Sequence, residues 1–217
     1  MVEETLKLEN NLTVYFEPGL DGGGSTQRQD FVDAVSKTGK SHFNRIFEWC
    51  AGSGFIGYTF LDKKMCNHVV FSDIHNRAID FVNITAEKNN IVDSVTTYVC
   101  DEINKIPLTE KWDLVLSNPP HCFDQHTLDQ MKNNPDMTNI MRILCDVNYV
   151  IHKEFFENII KYLEPGADLF LSETYEDPII KNLAITNGLT FIDFHPAPML
   201  AMTSASVAGV FQFKYIP

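Results

Sequence analysis

A repeating order of apolar strand, turn and amphipathic helix begins near residue 45 and constrains the fold more than any other feature of the chain. Continuous apolar runs are typical of strands buried on both faces, as in a parallel sheet covered by helices. Two later runs, Leu189–Phe194 and Val207–Tyr215, are joined by a loop too short for a crossover helix, which predicts an antiparallel C-terminal hairpin. The other predicted strands are Arg45–Cys50, His68–Asp73, Val95–Asp101, Trp112–Ser117 and Ala167–Ser172. The sequence therefore predicts an α/β fold with a doubly wound, seven-stranded sheet that is mostly parallel.

Helical periodicity fills the segments between these strands. Residues 1–40 are predicted to form an N-terminal arm and a helix that pack on the core, and residues 41–217 to form the main domain. The stretch 121–151 is long for a connection between a strand and a helix, and we interpret it as a lid or a substrate insertion. The predicted helices are Gln27–Ser36, Phe55–Leu61, Asn76–Lys88, His152–Leu163 and Pro178–Thr186, with short pieces inside the insertion at Thr127–Lys132 and Thr138–Leu144.

The composition restricts partners and compartment. The net charge is −12, and affinity for long nucleic acids usually comes from Lys and Arg side chains, so a protein or small-molecule substrate is favoured over a nucleic acid. The 5 cysteines form no C-x-x-C pair, which indicates reduced thiols in a cytoplasmic protein and no metal site. Neither a signal-peptide pattern nor a membrane-length apolar run is recognisable, so no membrane association is predicted.

A glycine-containing turn follows the first long strand and predicts a cofactor pocket. Glu48 lies near the strand end, and Gly52 and Gly54 come before a helix, so the backbone can approach a ligand closely. Asp73 ends the next strand, and its carboxylate can accept hydrogen bonds from both hydroxyl groups of a ribose. Asp101 ends the third strand, and its carboxylate can accept a hydrogen bond from the amino group of an adenine.

The same turn matches the dinucleotide pattern G-x-G-x-x-G, at Gly52, Gly54 and Gly57. An NAD-dependent oxidoreductase is therefore a distant alternative. Glu48 argues against it, because a carboxylate beside the turn repels a pyrophosphate and suits the ammonium group of an amino-acid tail.

The fourth strand ends in Asn118-Pro119-Pro120-His121. The two prolines have a restricted φ and no N–H, so they hold Asn118 at the strand end. The Asn118 amide oxygen and nearby carbonyl groups can accept both hydrogens of a target –NH2 group and orient the lone pair of its nitrogen.

With these motifs, residues 43–175 resemble the class I S-adenosylmethionine-dependent methyltransferases of the Asn-Pro-Pro-Tyr type, which include release-factor glutamine N5-methyltransferases and small-domain RNA and adenine-N6 methyltransferases. The resemblance implies a Rossmann-like fold, S-adenosyl-L-methionine as cofactor and S-adenosyl-L-homocysteine as product. It implies that Asn118 and Pro119 hold the target nitrogen, with Pro120 and His121 beside them. The implied cofactor contacts are Glu48, Cys50, Ala51, Gly52, Gly54, Asp73, Ile74, Asp101, Glu102 and Asn118.

Two positions depart from the family pattern. Cys50 replaces a usual glycine, which is acceptable if its φ is negative. His121 replaces an aromatic residue that would stack on the methylated group, so the family's substrate type does not transfer directly, and His121 can either stack or act as a base.

The acceptor is left open by the sequence. A protein glutamine side chain is the first interpretation, and an amino group of adenine or guanine in RNA or DNA or a small-molecule amine are the alternatives. Candidate substrate contacts in and after the insertion are Phe123, Arg142, Asp146, Tyr149 and His152, of which the last four recur at helical spacing.

Overall fold

A computed structural model describes residues 3–121, 145–173, 175–197 and 208–217. The strands are β1 (Glu4–Lys7), β2 (Thr13–Phe16), β3 (Phe43–Trp49), β4 (Cys66–Asp73), β5 (Val95–Val99), β6 (Trp112–Ser117), β7 (Leu163–Glu173), β8 (Leu189–Pro196) and β9 (Gly209–Tyr215). The α-helices are α1 (Gly24–Ser36), α2 (Phe55–Asp62), α3 (Asn76–Lys88), α4 (Val150–Ile159) and α5 (Pro178–Thr186).

The main sheet has seven strands in the order β5-β4-β3-β6-β7-β9-β8. The pairs among β5, β4, β3, β6 and β7 are parallel, and β9 pairs antiparallel with both β7 and β8. The predicted Rossmann-like sheet with an antiparallel C-terminal hairpin is therefore confirmed. Within the hairpin, β8 is the edge strand and β9 lies inside the sheet.

Successive residues of the central strands point to opposite faces and supply two separate cores. Ile46 and Leu114 belong to the core under α1, α2 and α3. Phe47 and Val115 belong to the core under α4 and α5, where the rings of Phe47 and Trp112 stack at 3.9 Å. Helices are needed on both faces because both faces of these strands are apolar.

The N-terminal arm is an antiparallel hairpin of β1 and β2 that rests on α2 and α3. Its backbone N–H groups are satisfied by side chains of the core: Tyr15 donates to Thr85 at 3.0 Å and Thr13 donates to Asn89 at 2.9 Å. Phe16 packs edge-on against Phe55 of α2. The division of the chain into an N-terminal arm and a main domain at residue 40 stays a prediction.

Some boundaries differ from the predictions. Strand β7 starts at Leu163, four residues before the predicted Ala167, because Leu163 already pairs with Trp112 before a bulge. Helix α4 starts at Val150 and gives way to a 3₁₀ turn from Ile160. The two short helices predicted within 121–151 lie outside the described residues. In the part of the chain that is described, no helix is long and apolar enough to cross a membrane.

Candidate active site

The carboxyl ends of β3, β4 and β6 border a cavity of about 400 Å³. The register places Trp49 beside both Ser72 and Ser117, so the three strands end at the same level. The strand order reverses at β3, which is followed first by its neighbour β4 and later by its other neighbour β6. Open α/β sheets bind their ligands in the crevice at this reversal.

Many of the predicted site residues border this cavity, and others do not. The lining includes Glu48, Cys50, Ala51, Gly52, Asp73, Ile74, Asp101, Asn118 and Pro120. Predicted residues that are not part of the lining are Gly54, Glu102, Pro119, His121, Asp146, Tyr149 and His152. Phe123 and Arg142 lie outside the described residues. The individual roles assigned to all of these residues stay predictions.

Glu48 is a buried carboxyl group at the floor of the cavity. Its Oε2 accepts a hydrogen bond of 2.6 Å from the backbone N–H of Gly57, where a Cβ would come within 2.7 Å of the same oxygen. Burial raises the pKa of Glu48 to about 8, against the lowering effect of the Gly57 and Ile56 backbone N–H groups. The Glu48 carboxyl is thus mostly neutral at pH 7 in the free protein, so its charge alone is a weaker argument against a pyrophosphate than the sequence suggested.

Asp73 connects the turn after β3 to the end of β4. One carboxylate oxygen accepts from the Gly52 N–H at 2.8 Å and the other accepts from the His75 N–H at 2.8 Å. Gly52 has φ +53°, a conformation that favours glycine, and it places its N–H toward Asp73. Burial raises the pKa of Asp73, and these two N–H groups oppose the shift.

Cys50 has φ +54°, so the condition under which this residue would replace glycine without strain is not met. The chain must turn into the left-handed region directly after β3, which is where the family usually has glycine. A non-glycine residue in this region costs roughly 1–2 kcal/mol. Burial raises the pKa of the Cys50 thiol well above its usual value, with the Asp73 carboxylate adding to the shift. The thiol is therefore protonated and is not a nucleophile.

The Asn118 amide has two polar atoms, and only one of them has a hydrogen-bond partner among the described residues. Its Nδ2 donates to the Gly22 carbonyl at 2.9 Å, which determines the orientation of the amide. Its Oδ1 is buried and has no hydrogen-bond partner among the described residues. Two other lining residues have a buried polar atom without a partner among the described residues, Ser53 with Oγ and His75 with Nε2. Buried polar atoms normally have partners, so these three indicate a polar ligand.

The loop before α1 forms one wall of the site, and the sequence analysis did not find it. Leu20, Asp21, Gly22 and Gly24 line the cavity. Asp21 accepts hydrogen bonds from the backbone N–H groups of Gly23 at 2.9 Å and Ser25 at 3.3 Å, which holds the loop in place. An aspartate before three glycines and a helix was the available signal, and only the tertiary structure brings it next to Asn118.

Among the residues predicted to contact the substrate, the three that the structure describes, Asp146, Tyr149 and His152, do not form an exposed helical face. Asp146 and His152 are buried and contact each other, and His152 also contacts Glu173. Tyr149 donates its hydroxyl to Asp177 at 2.7 Å. His121 faces Glu173 as well. These side chains form a second polar cluster beside the cavity.

The lining of the cavity is acidic. It includes Asp21, Asp73 and Asp101 together with the mostly neutral Glu48, and neither Lys nor Arg occurs among the described lining residues. A hydrogen bond from Lys105, which is outside the lining, lowers the pKa of Asp101. Such a cavity favours a cationic ligand over one that carries a pyrophosphate.

Comparison with known families identifies the family of this chain. The profile of a family described as methyltransferase small domain matches residues 6–141. The chain belongs to this family. Its class I methyltransferase resemblance is thereby confirmed, and the same match includes the loop before α1, the glycine turn and the Asn-Pro-Pro corner.

A curated relative of this small-domain methyltransferase is also described as a methyltransferase. A release factor glutamine methyltransferase from Clostridium acetobutylicum is 27% identical over 132 residues, which are 58% of the chain and 45% of that protein. The chain thus spans about half the length of this curated relative.

Solved structures share the fold at low identity. The ribosomal protein L11 methylase from Lactobacillus delbrueckii subsp. bulgaricus has a TM-score of 0.61 and 13% identity, with 93% of this chain and 84% of that chain covered. The tRNA m1G37 methyltransferase from M. jannaschii has a TM-score of 0.60 and 14% identity, with 99% and 57% covered.

The strained backbone at Cys50 predicts a difference in stability between two substitutions. Cys50→Ala keeps the left-handed strain and Cys50→Gly removes it, while both remove the thiol. We expect the glycine variant to be more stable than the alanine variant by about 1 kcal/mol in urea unfolding. Equal stability of the two variants would show that residue 50 is not strained.

The raised pKa of Glu48 predicts a loss of stability with rising pH. The folded state retains a proton that the unfolded state releases near pH 4.5, so the stabilisation is complete below that pH and is lost as the pH rises to about 8. Glu48→Gln, whose amide oxygen can still accept from Gly57, lacks this titration. Between pH 5 and 8 we expect the free energy of unfolding of the wild type to fall by roughly 2–4 kcal/mol more than that of the variant. Glu164→Gln, at an exposed position, is the control and should follow the wild type.

Proposed function

We propose that the protein is an S-adenosylmethionine-dependent N-methyltransferase that acts on a planar –NH2 group, with a protein glutamine side chain as the first candidate acceptor. The observation that carries this proposal is the Asn118 amide, whose oxygen is buried and unpaired among the described residues, in a residue that borders the cavity. An unpaired buried acceptor is costly unless a ligand donates to it. An –NH2 group is such a donor.

The chemistry of Asn118 follows from its fixed orientation. Because Nδ2 is held by the Gly22 carbonyl, the oxygen and not the –NH2 end is presented to the ligand. An oxygen dipole held in this way attracts the hydrogens of an acceptor nitrogen and stabilises positive charge that develops on that nitrogen. Fixing the nitrogen at a reactive distance and angle can supply ~7–11 kcal/mol of the barrier.

The identity of the cofactor as S-adenosylmethionine is supported by the acidic lining and by the predicted contact residues that border the cavity. S-adenosylmethionine supplies a methyl group to a nucleophile, and it carries a sulfonium and an ammonium charge that suit this lining. Asp73 would accept from the ribose, Asp101 from the adenine, and the exposed Ile74 would pack on the base. Glu48 would face the amino-acid end, where a cation favours its ionised form. A pyrophosphate has no Lys or Arg to contact among the described lining residues, which disfavours NAD.

The acceptor is proposed from the curated relative and from charge. That relative is named for a release factor glutamine, a planar amide, and the net charge of −12 disfavours long nucleic acids. A base amino group in RNA remains the second candidate, since the described fold is shared with a tRNA methyltransferase. A small-molecule amine is the third. The cytoplasmic location predicted from the sequence also stays a proposal.

Removing the Asn118 amide should slow transfer and leave cofactor binding almost unchanged. We expect Asn118→Ala to lower kcat by ~10²–10³, because one preorganised dipole at the reacting nitrogen is lost. The measurement is transfer of label from S-adenosylmethionine into a cell extract that is afterwards separated into protein, nucleic-acid and small-molecule fractions. Asn67→Ala, at an exposed position on β4, is the matched control.

The labelled fraction identifies the acceptor class, provided that the label depends on Asn118. Label that persists in the Asn118 variant would contradict the role of its amide. Absence of labelling together with no binding of S-adenosylmethionine would contradict the proposed function itself.

Removing the Asp73 carboxylate should have the opposite effect. We expect Asp73→Ala to weaken S-adenosylmethionine binding by roughly 10–100-fold in calorimetry, since hydrogen bonds to a charged group contribute about 1.5–3 kcal/mol. Asp80→Ala removes an exposed acid of α3 and should bind like the wild type. Unchanged affinity in the folded Asp73 variant would exclude Asp73 as a cofactor ligand.

A further inference from the structure

A row of four ionisable side chains, three of them buried, lies beside the cavity and has no part in the predicted cofactor contacts. Asp146 Oδ2 is 2.6 Å from His152 Nδ1, and His152 Nε2 is 3.0 Å from Glu173 Oε1. Glu173 Oε2 is 3.5 Å from His121 Nδ1. Asp146, His152 and Glu173 are each at most 4% exposed.

His152 is placed as a cation between two carboxylates. Each of its ring nitrogens contacts a carboxylate oxygen, and both can donate only when the imidazole is protonated. Burial alone would raise the pKa of Asp146 and of Glu173. For Asp146 the His152 imidazole and the backbone N–H groups of Ile151 and His152 outweigh it, for Glu173 the imidazoles of His121 and His152 do so, and both pKa values are lowered. Asp146, His152 and Glu173 thus carry a net charge of about −1, with the uncompensated part of Glu173 facing His121.

His121 is oriented by this row. Its Nδ1 is buried and has no hydrogen-bond partner among the described residues, and Glu173 Oε2 lies in front of it. The distance of 3.5 Å is longer than a formed hydrogen bond, as is common for catalytic groups before the substrate binds. A carboxylate at Nδ1 favours the tautomer with a proton on Nδ1 and a lone pair on Nε2. In that tautomer Nε2 is the ring nitrogen that can accept a proton.

His121 is also at the rim of the cavity. It directly follows Pro120, and it forms a parallel bridge with Cys145, and both of these neighbours line the cavity. The Asp146 N–H donates to the His121 carbonyl at 3.0 Å, so the backbone of His121 is held as well as its ring. The ring of Trp49, another lining residue, packs edge-on against His152.

We propose that His121 Nε2 accepts the proton that the target nitrogen loses on methylation, and that Glu173 and His152 position His121 for this step. In it the N–H bond breaks, its electron pair stays on the nitrogen, and the proton bonds to Nε2. The imidazolium that forms is stabilised by the Glu173 carboxylate. This inference rests on the proposed function and assigns a role to the position where the family has an aromatic ring.

The same step restricts the acceptor. The lone pair of an amide or a base amino group is conjugated, so the methylated, protonated form is strongly acidic and gives its proton to an imidazole. An alkylammonium resembles the lysine side chain, with a pKa of about 10.4, and does not transfer its proton downhill to an imidazole of about 6.5. His121 therefore favours a conjugated –NH2 group over an aliphatic amine.

The tautomer of His121 can be measured without any acceptor. Long-range ¹⁵N–¹H correlation spectra of the whole protein at pH 8 should show His121 protonated on Nδ1 and His152 protonated on both nitrogens. In Glu173→Gln, His121 should lose its Nδ1 preference. A wild-type His121 protonated on Nε2 would overturn the proposal, because Nε2 would then have no lone pair to accept a proton.

Two substitutions separate a base from a stacking ring. We expect His121→Asn and His121→Phe both to lower transfer by ~10²–10⁴ into the fraction labelled by the wild type, with unchanged affinity for S-adenosylmethionine. The wild-type rate should rise through the range in which imidazoles titrate, roughly pH 5–8, and this limb should be absent from the residual activity of both variants. His42→Asn, at an exposed histidine, is the control.

The outcomes distinguish this inference from the proposed function. If His121→Phe transfers as fast as the wild type, stacking and not proton transfer is the role of residue 121. If the wild type does not bind S-adenosylmethionine, the proposed function fails whatever the tautomer of His121.

Discussion

The parallel pairing of β3 with β4 on one side and β6 on the other determines where the site forms. All three strands are buried on both faces, and their register brings Trp49, Ser72 and Ser117 to one level. A shift of one residue would move each apolar side chain to the other face, so the register is strongly specified by the two cores. Everything that follows these strand ends is then assembled at the same edge of the sheet.

Three energetically unfavourable features lie at this edge of the sheet. Cys50 adopts a left-handed conformation, Glu48 is a buried carboxyl group, and Asn118 has a buried oxygen with no partner in the described part of the chain. None of these features helps the fold by itself, and each is compensated only by surrounding structure or by a ligand. Such local violations of otherwise consistent design are typical of functional sites.

Two polar systems serve different ends of the site. The acids around the glycine turn make the cavity suited to a cation, and the row from Asp146 to His121 ends at the last residue of the Asn-Pro-Pro-His corner. Asn118, at the start of this corner, is oriented by the Gly22 carbonyl. The loop before α1 and the start of α4 therefore both reach the corner after β6, the first through Asn118 and the second through Glu173 and His121, although they are far apart in the chain.

The amino-acid sequence by itself determined the sheet, its antiparallel end, and the cavity-lining acids Glu48, Asp73 and Asp101. It could do so because these features depend on local signals, namely apolar periodicity, glycines after a strand, and the stiffness of two prolines. The tertiary structure decided what depends on contacts between distant segments. It showed the positive φ of Cys50, the wall formed by Leu20 to Gly24, the orientation of the Asn118 amide and the placement of His121 against Glu173. A side chain's partner in space leaves no periodic pattern along the chain, and for that reason the sequence could identify Asn118 and His121 as candidates without showing which groups hold them.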